Sequence, residues 1–168
     1  MNVYLEDLEI KLNNVLGTEY FGLCLKTSKV RHLIENVLLK KQPNLHFYTD
    51  GDGMMGVDTM KTTLQINTKA APLVGMNWRI AGLAHELYHL QHPPKPFYTL
   101  DEEIEEEKGA YTVSFQVLNQ LSPSKGNCME SRFERAHRKN YRKYGKQYAH
   151  DWAEYVTLKR YVLAEELV

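Results

Sequence analysis

Two histidines four residues apart, with a glutamate beside the first, are the residues of this chain best suited to chemistry: His85-Glu86-Leu87-Tyr88-His89. On a helix, positions four apart share one face. His85 and His89 can therefore grip one metal ion between their imidazoles, and zinc is the usual occupant of such a pair. Glu86 adjoins the pair and can take a proton from a water whose pKa the metal lowers to about 7. The motif is short enough to arise by chance, so its context decides. Ile80, Leu83, Leu87 and Leu90 form an apolar stripe at helical spacing, Asn77 can cap the helix, and Pro93-Pro94 end it. At about 100° per residue, His85, His89 and His92 fall on the opposite side. One face suits a core and the other a cleft.

A catalytic zinc site takes three protein ligands and keeps a fourth position open. His92 is the nearest further histidine, but it sits about one helical turn beyond a metal held by His85 and His89, and it reads better as a rim or capping residue. The other source is the acidic run Asp101-Glu102-Glu103-Ile104-Glu105-Glu106-Glu107. Most of these carboxylates suit a solvated helix N-terminus, where the dipole favours negative charge. Gly109, Ala110 and Ser114 follow, small enough for a second helix to pack closely. Glu107 is the expected third ligand because it precedes that small surface, with Glu103, one turn earlier, as the alternative.

His85-Glu86-Leu87-Tyr88-His89, then Glu107-Lys108-Gly109-Ala110 and Phe115, resemble the ImmA/IrrE-type metallopeptidases, whose pattern is H-E-L-G-H followed by E-x-x-A-N and F-A. The approach is similar too: a strand ending in Ile66-Asn67, a loop, and a helix carrying Arg79 to Ala84. The resemblance spans roughly residues 45–123. It implies zinc held by His85, His89 and Glu107, Glu86 as the catalytic base, and an intracellular regulatory protein such as a repressor as substrate. Tyr88 stands where the family has Gly, Tyr111 where it has Asn, and Phe115 falls one place late.

The elements that must position these residues can be read in outline. Val3, Leu5, Leu8, Leu12 and Val15 predict an amphipathic helix ending before Gly17. Ser28 can cap a second helix to about Lys41, with Val30, Leu33, Ile34, Val37 and Leu38 inward and His32 at the surface. Residues 45–49 alternate like a strand, Asp50-Gly51-Asp52-Gly53 marks a turn, and Met60 to Asn67 is the clearest strand. An exposed edge of this small antiparallel sheet could hold an extended peptide across the metal. After Pro123 and Gly126, two helices are expected over 129–145 and 147–166. The first carries Arg132, Arg135, Arg138, Lys139, Arg142, Lys143 and, just beyond it, Lys146, and reads as a solvated face. The second is expected to pack Trp152, Tyr155, Val156 and Val162. Tyr98, Tyr111, His137 and His150 are candidates to donate to a transition state.

With 168 residues, 43% apolar and 25% charged, the chain has the composition of a globular protein and the length for one domain, 1–168, with a helical extension over 124–168. A net charge of zero gives no pointer to nucleic acid or anionic membrane, so neither is an expected partner. There is no 18-residue apolar run and no secretory pattern, which makes the cytoplasm the expected location. Cys24 and Cys128 are read as reduced, mostly buried thiols. The expected fold is α+β: a small antiparallel sheet with helices and a zincin-like, gluzincin-type metal site between two of them. The expected activity is hydrolysis of a peptide bond in a protein or peptide substrate. The competing expectation is a regulatory or protein-binding module that keeps zinc for structure, closed by a fourth ligand such as His92.

Overall fold

Leu8, Leu12 and Leu16 recur every four residues, and that row buries the first helix, α1 (Val3–Leu16), whose start is capped by Asn2 accepting the Leu5 amide. The computed structural model describes residues 2–166. A helix that periodicity could not resolve follows, α2 (Tyr20–Lys26), too short to show a stripe yet burying Tyr20, Phe21 and Cys24. Helix α3 (Ser28–Leu33) continues through one π-helical turn (Ile34–Leu38) and a last turn (Leu39–Lys41). Its cap position is Thr27, not Ser28. Val30, Leu33, Ile34, Val37 and Leu38 are all buried, and His32 is exposed.

Three strands follow: β1 (Asn44–Tyr48), β2 (Met55–Asp58) and β3 (Thr63–Asn67), in the order β1-β3-β2. The sheet is mixed, which corrects the antiparallel expectation. β3 pairs antiparallel with β2, Val57 opposite Leu64, but parallel with β1, Leu45 opposite Leu64. Met55–Asp58 is only four residues long, so its alternation of Met55 and Val57 is too short to reveal the strand that enters on the far side of β3. β3 starts later than expected: Met60 is exposed and Thr62 sits at φ 48 in the turn, while Leu64 and Ile66 are fully buried. Asn67 uses all its hydrogen-bonding capacity at the strand end. Its amide donates to the carbonyls of Asp50 and Gly51, and its carbonyl accepts from the amides of Lys69 and Ala70.

The motif helix, α4 (Met76–Gln91), buries Ile80, Ala81, Leu83, Ala84, Leu87 and Leu90 against this core. Its N-terminus is fixed by Arg79, whose guanidinium donates to the carbonyls of Val74, Leu16 and Pro72 at 2.7, 2.7 and 2.8 Å. Asn77 does not cap it: that position is Gly75, and the Asn77 amide instead reaches the Ser122 carbonyl and the Glu134 carboxylate. Helix α5 (Leu100–Gln120) starts with a capping box between Thr99 and Glu102 and packs along α4. Gly109 permits the close approach. A Cβ there would collide with the Tyr88 hydroxyl, so a bulky residue on the motif helix is matched by an absent side chain on its neighbour.

Helices α6 (Met129–Tyr144) and α7 (Lys146–Glu166) complete the chain. They are built into the rest through Trp78 of α4, which stacks on His137 with centroids 5.2 Å apart and also contacts Phe115 and Phe133. α7 packs along α5 through small residues, Ala149, Ala153 and Thr157, all fully buried. The expectation that Tyr155 and Val162 pack inward is overturned: they are 55% and 54% exposed. Cys24 is buried, but Cys128 is exposed, and both are free thiols. The protein is thus α+β, with the metal-binding candidates between helices, and no helix among the described residues is long and apolar enough to cross a membrane.

Candidate metal centre

α4 places His85 and His89 one turn apart on its core-distal face, and α5 brings Glu107 opposite them. The three side chains meet. His85 Nε2 and His89 Nε2 are 3.2 Å apart, and the Glu107 oxygens lie 3.2 and 3.0 Å from them. Metal–ligand bonds of 2.0–2.1 Å in a tetrahedron imply ligand separations of about 3.3 Å, so the spacing matches three corners of such a site.

The hydrogen bonds behind these atoms fix what they can offer. The Ser114 hydroxyl donates to the Ala110 carbonyl at 3.0 Å, so its oxygen accepts from His85 Nδ1–H at 3.2 Å. Glu106 accepts from His89 Nδ1–H, also at 3.2 Å. When the rings are neutral, each presents a bare Nε2 lone pair toward the other and toward a carboxylate. In that state three acceptors converge with no donor among them, an arrangement that needs a cation, either a proton or a metal ion, and this group can hold a metal ion. Electrostatics carry the same demand. Burial favours neutral His89, but hydrogen bonds to Glu106 and Glu107 outweigh it and hold the ring up at about 10. Burial opposes ionised Glu107 too, yet His85 and His89 hold its carboxyl far below the usual range.

Glu86 borders the same cavity, a cleft of about 610 Å³, and has no side-chain hydrogen bond among the described residues. Burial raises its pKa, while His85 and His89 pull it back. The opposite wall is the edge strand β2, whose Met55, Gly56 and Val57 line the cleft. Gly82 of α4 lets that wall come close, since a Cβ there would meet Met54.

His92 is not part of the trio. It follows the last turn of α4, and its Nδ1 lies 2.7 Å from Glu106. Glu103 accepts from the Tyr161 hydroxyl at 2.8 Å and is likewise outside the trio, although it lines the cleft. Of the candidate donors, Tyr98 and Tyr111 line the cleft, the Tyr111 ring 4.6 Å from that of His85. His137 is buried among aromatic rings and bonded to the Tyr148 hydroxyl at 2.6 Å, and His150 does not line the cleft.

Three contributors were not legible in the sequence. Glu106 belongs to the acidic run that suits a solvated helix N-terminus, yet it bridges His89 and His92, and the spacing of those two histidines at i and i+3 is the signal that points to it. In the sequence Ser114 signals close packing and nothing of its contact with His85. Arg160 of α7 lies 3.7 Å from Glu107 Oε2 and lines the cleft, and nothing local to its sequence links it to the motif. No protein-family model, curated protein or solved structure matches this chain.

Proposed function

We propose that this chain is a zinc-dependent endopeptidase of the ImmA/IrrE type that cleaves a peptide bond in an intracellular protein such as a repressor or other regulator. The observation that carries the reading is the convergence of three bare acceptor atoms beside an unbonded, partly buried carboxylate in an open cleft. His85, His89 and Glu107 would hold the ion, and the two imidazoles and one carboxylate suit zinc. Zinc, when bound, supplies Lewis acidity toward the scissile carbonyl and the attacking water.

The remaining work falls to the chain itself. Glu86 takes the proton of the attacking water and passes it to the leaving amine, a role helped by a carboxyl whose pKa burial has raised. The outer edge of β2 offers unpaired main-chain groups to an extended peptide, which would then run along the cleft. Tyr98, Tyr111 and Arg160 face that cleft and can donate to the developing oxyanion. Glu106 and Ser114 set the tautomers and ring planes of the two histidines. The alternative, a regulatory module with a closed zinc site, needs a fourth protein ligand, and His92 is engaged by Glu106 instead.

The test is Glu86→Gln. The variant should keep stoichiometric zinc and the wild-type melting curve, and lose at least about 1,000-fold in cleavage of a quenched-fluorescence peptide library. A Glu86→Gln protein as active as wild type would remove the assigned base.

A further inference from the structure

The cationic face of α6 is the strongest feature that the proposed peptidase leaves unused. Arg132, Arg135, Arg138, Lys139, Arg142 and Lys143 recur at three- and four-residue steps. At about 100° per residue they fall within an arc of roughly 140°. The two acids of the helix, Glu130 and Glu134, lie off that arc, and Glu134 is already spent on Arg138 at 2.8 Å. Arg132, Lys139, Arg142 and Lys143 are exposed and have no carboxylate within ion-pair distance among the described residues. Arg138 is 4% exposed, lines a groove beside Pro123 with its neighbours, and its Nη1 has no hydrogen-bond partner among the described residues. A net charge of zero over the chain therefore conceals a local excess: this helix carries six cations against two acids.

We propose that this face is a docking surface for the phosphate backbone of a nucleic acid duplex. Three features favour that partner. The row from Arg132 to Lys143 spans ~16 Å of helix. A duplex carries one charge per about 1.7 Å of its axis, so such a row meets several phosphates. Three of the five exposed cations, Arg132, Arg135 and Arg142, are arginines, which bind phosphate in a bidentate fork. The face also has no apolar centre, which an acidic protein partner would need for a specific interface. Insertion into a membrane is disfavoured, because His137 and its side of α6 pack against Trp78, Phe115 and Trp152, leaving Met129, Phe133 and Tyr144 as the exposed large apolar groups of the helix.

The experiment uses the zinc-loaded whole chain and a fluorescent duplex of about 20 base pairs, titrated by anisotropy over a salt series. Binding should weaken about 200-fold between roughly 50 and 200 mM salt, a log–log slope of about −4. Lys139→Glu/Arg142→Glu/Lys143→Glu should lose at least about 100-fold. Lys26→Glu/Arg31→Glu/Lys40→Glu, with the same change of net charge elsewhere on the surface, should lose far less. Absence of salt-dependent binding by the wild type overturns the proposal, and the salt series decides even if a variant fails to fold. It is equally overturned if the two triple variants lose binding alike, or if polyglutamate or phosphatidylserine vesicles compete as well as unlabelled duplex.

Discussion

The protein buries histidines in two places and treats them oppositely. In the cleft, His85 and His89 are backed by Ser114 and Glu106 and face Glu107, so positive charge between the rings is stabilised and the His89 pKa is held up at about 10. Beneath α6, His137 lies between Trp78, Phe133 and Trp152, is 2% exposed, and has a tyrosine hydroxyl as its only polar partner among the described residues. Burial alone acts there, and the pKa falls to about 4. Depth does not distinguish a metal-binding histidine from a packing one. The charge on the groups behind and in front of the ring does.

The hardest way to break this contrast is to remove charge from the cleft. Glu107→Gln leaves a neutral amide facing two lone pairs, and zinc affinity measured by competition with a chelator should fall by more than about 100-fold. Unchanged affinity would mean that the carboxylate is not a ligand.

The His137 side of the contrast is read by pH. Its folded pKa is depressed, so between about 6.5 and about 4 the unfolded chain binds the extra proton and stability falls as pH falls. From pH 7 to 5 this one group should cost about 2 kcal/mol. Urea unfolding at the two pH values should show that loss in the wild type and a correspondingly smaller one in His137→Phe. The difference between the proteins isolates His137 from the cleft groups that titrate in both. Equal slopes would place the ring in a more polar setting than the one described.

The smallest effect tests the support behind the ligands. Glu106→Gln should weaken zinc by about tenfold, because it loosens the tautomer and plane of His89 without removing a ligand. Glu105→Gln, at an exposed carboxylate paired with Lys108, should leave affinity within about threefold of wild type. If the two variants behave alike, the Glu106 contact with His89 is incidental.

Much of the site was legible because its signals are local. The four-residue spacing of His85 and His89 and the stripe of Ile80, Leu83, Leu87 and Leu90 both follow from helical geometry, and a helix can be read from its own residues. The small residues after Glu107 announced a close helix contact for the same reason, although it took the structure to show Tyr88 resting over Gly109. β2 is not evident in the sequence because it is only four residues long, too short for the alternation of Met55 and Val57, which pack against the core, to stand out.

What the sequence by itself determined is therefore the histidine pair, the adjacent carboxylate and the helix that carries them, because these depend on residues within one or two turns of each other. The tertiary structure alone decided that β1 runs parallel to β3, that Glu106 turns inward to His89, and that Arg160 reaches Glu107 from the last helix. It alone also separated the histidine buried among rings from the two buried among carboxylates. Those outcomes depend on which distant segments pack together, and packing is settled by burying the whole set of apolar faces at once rather than by the pattern of any one of them.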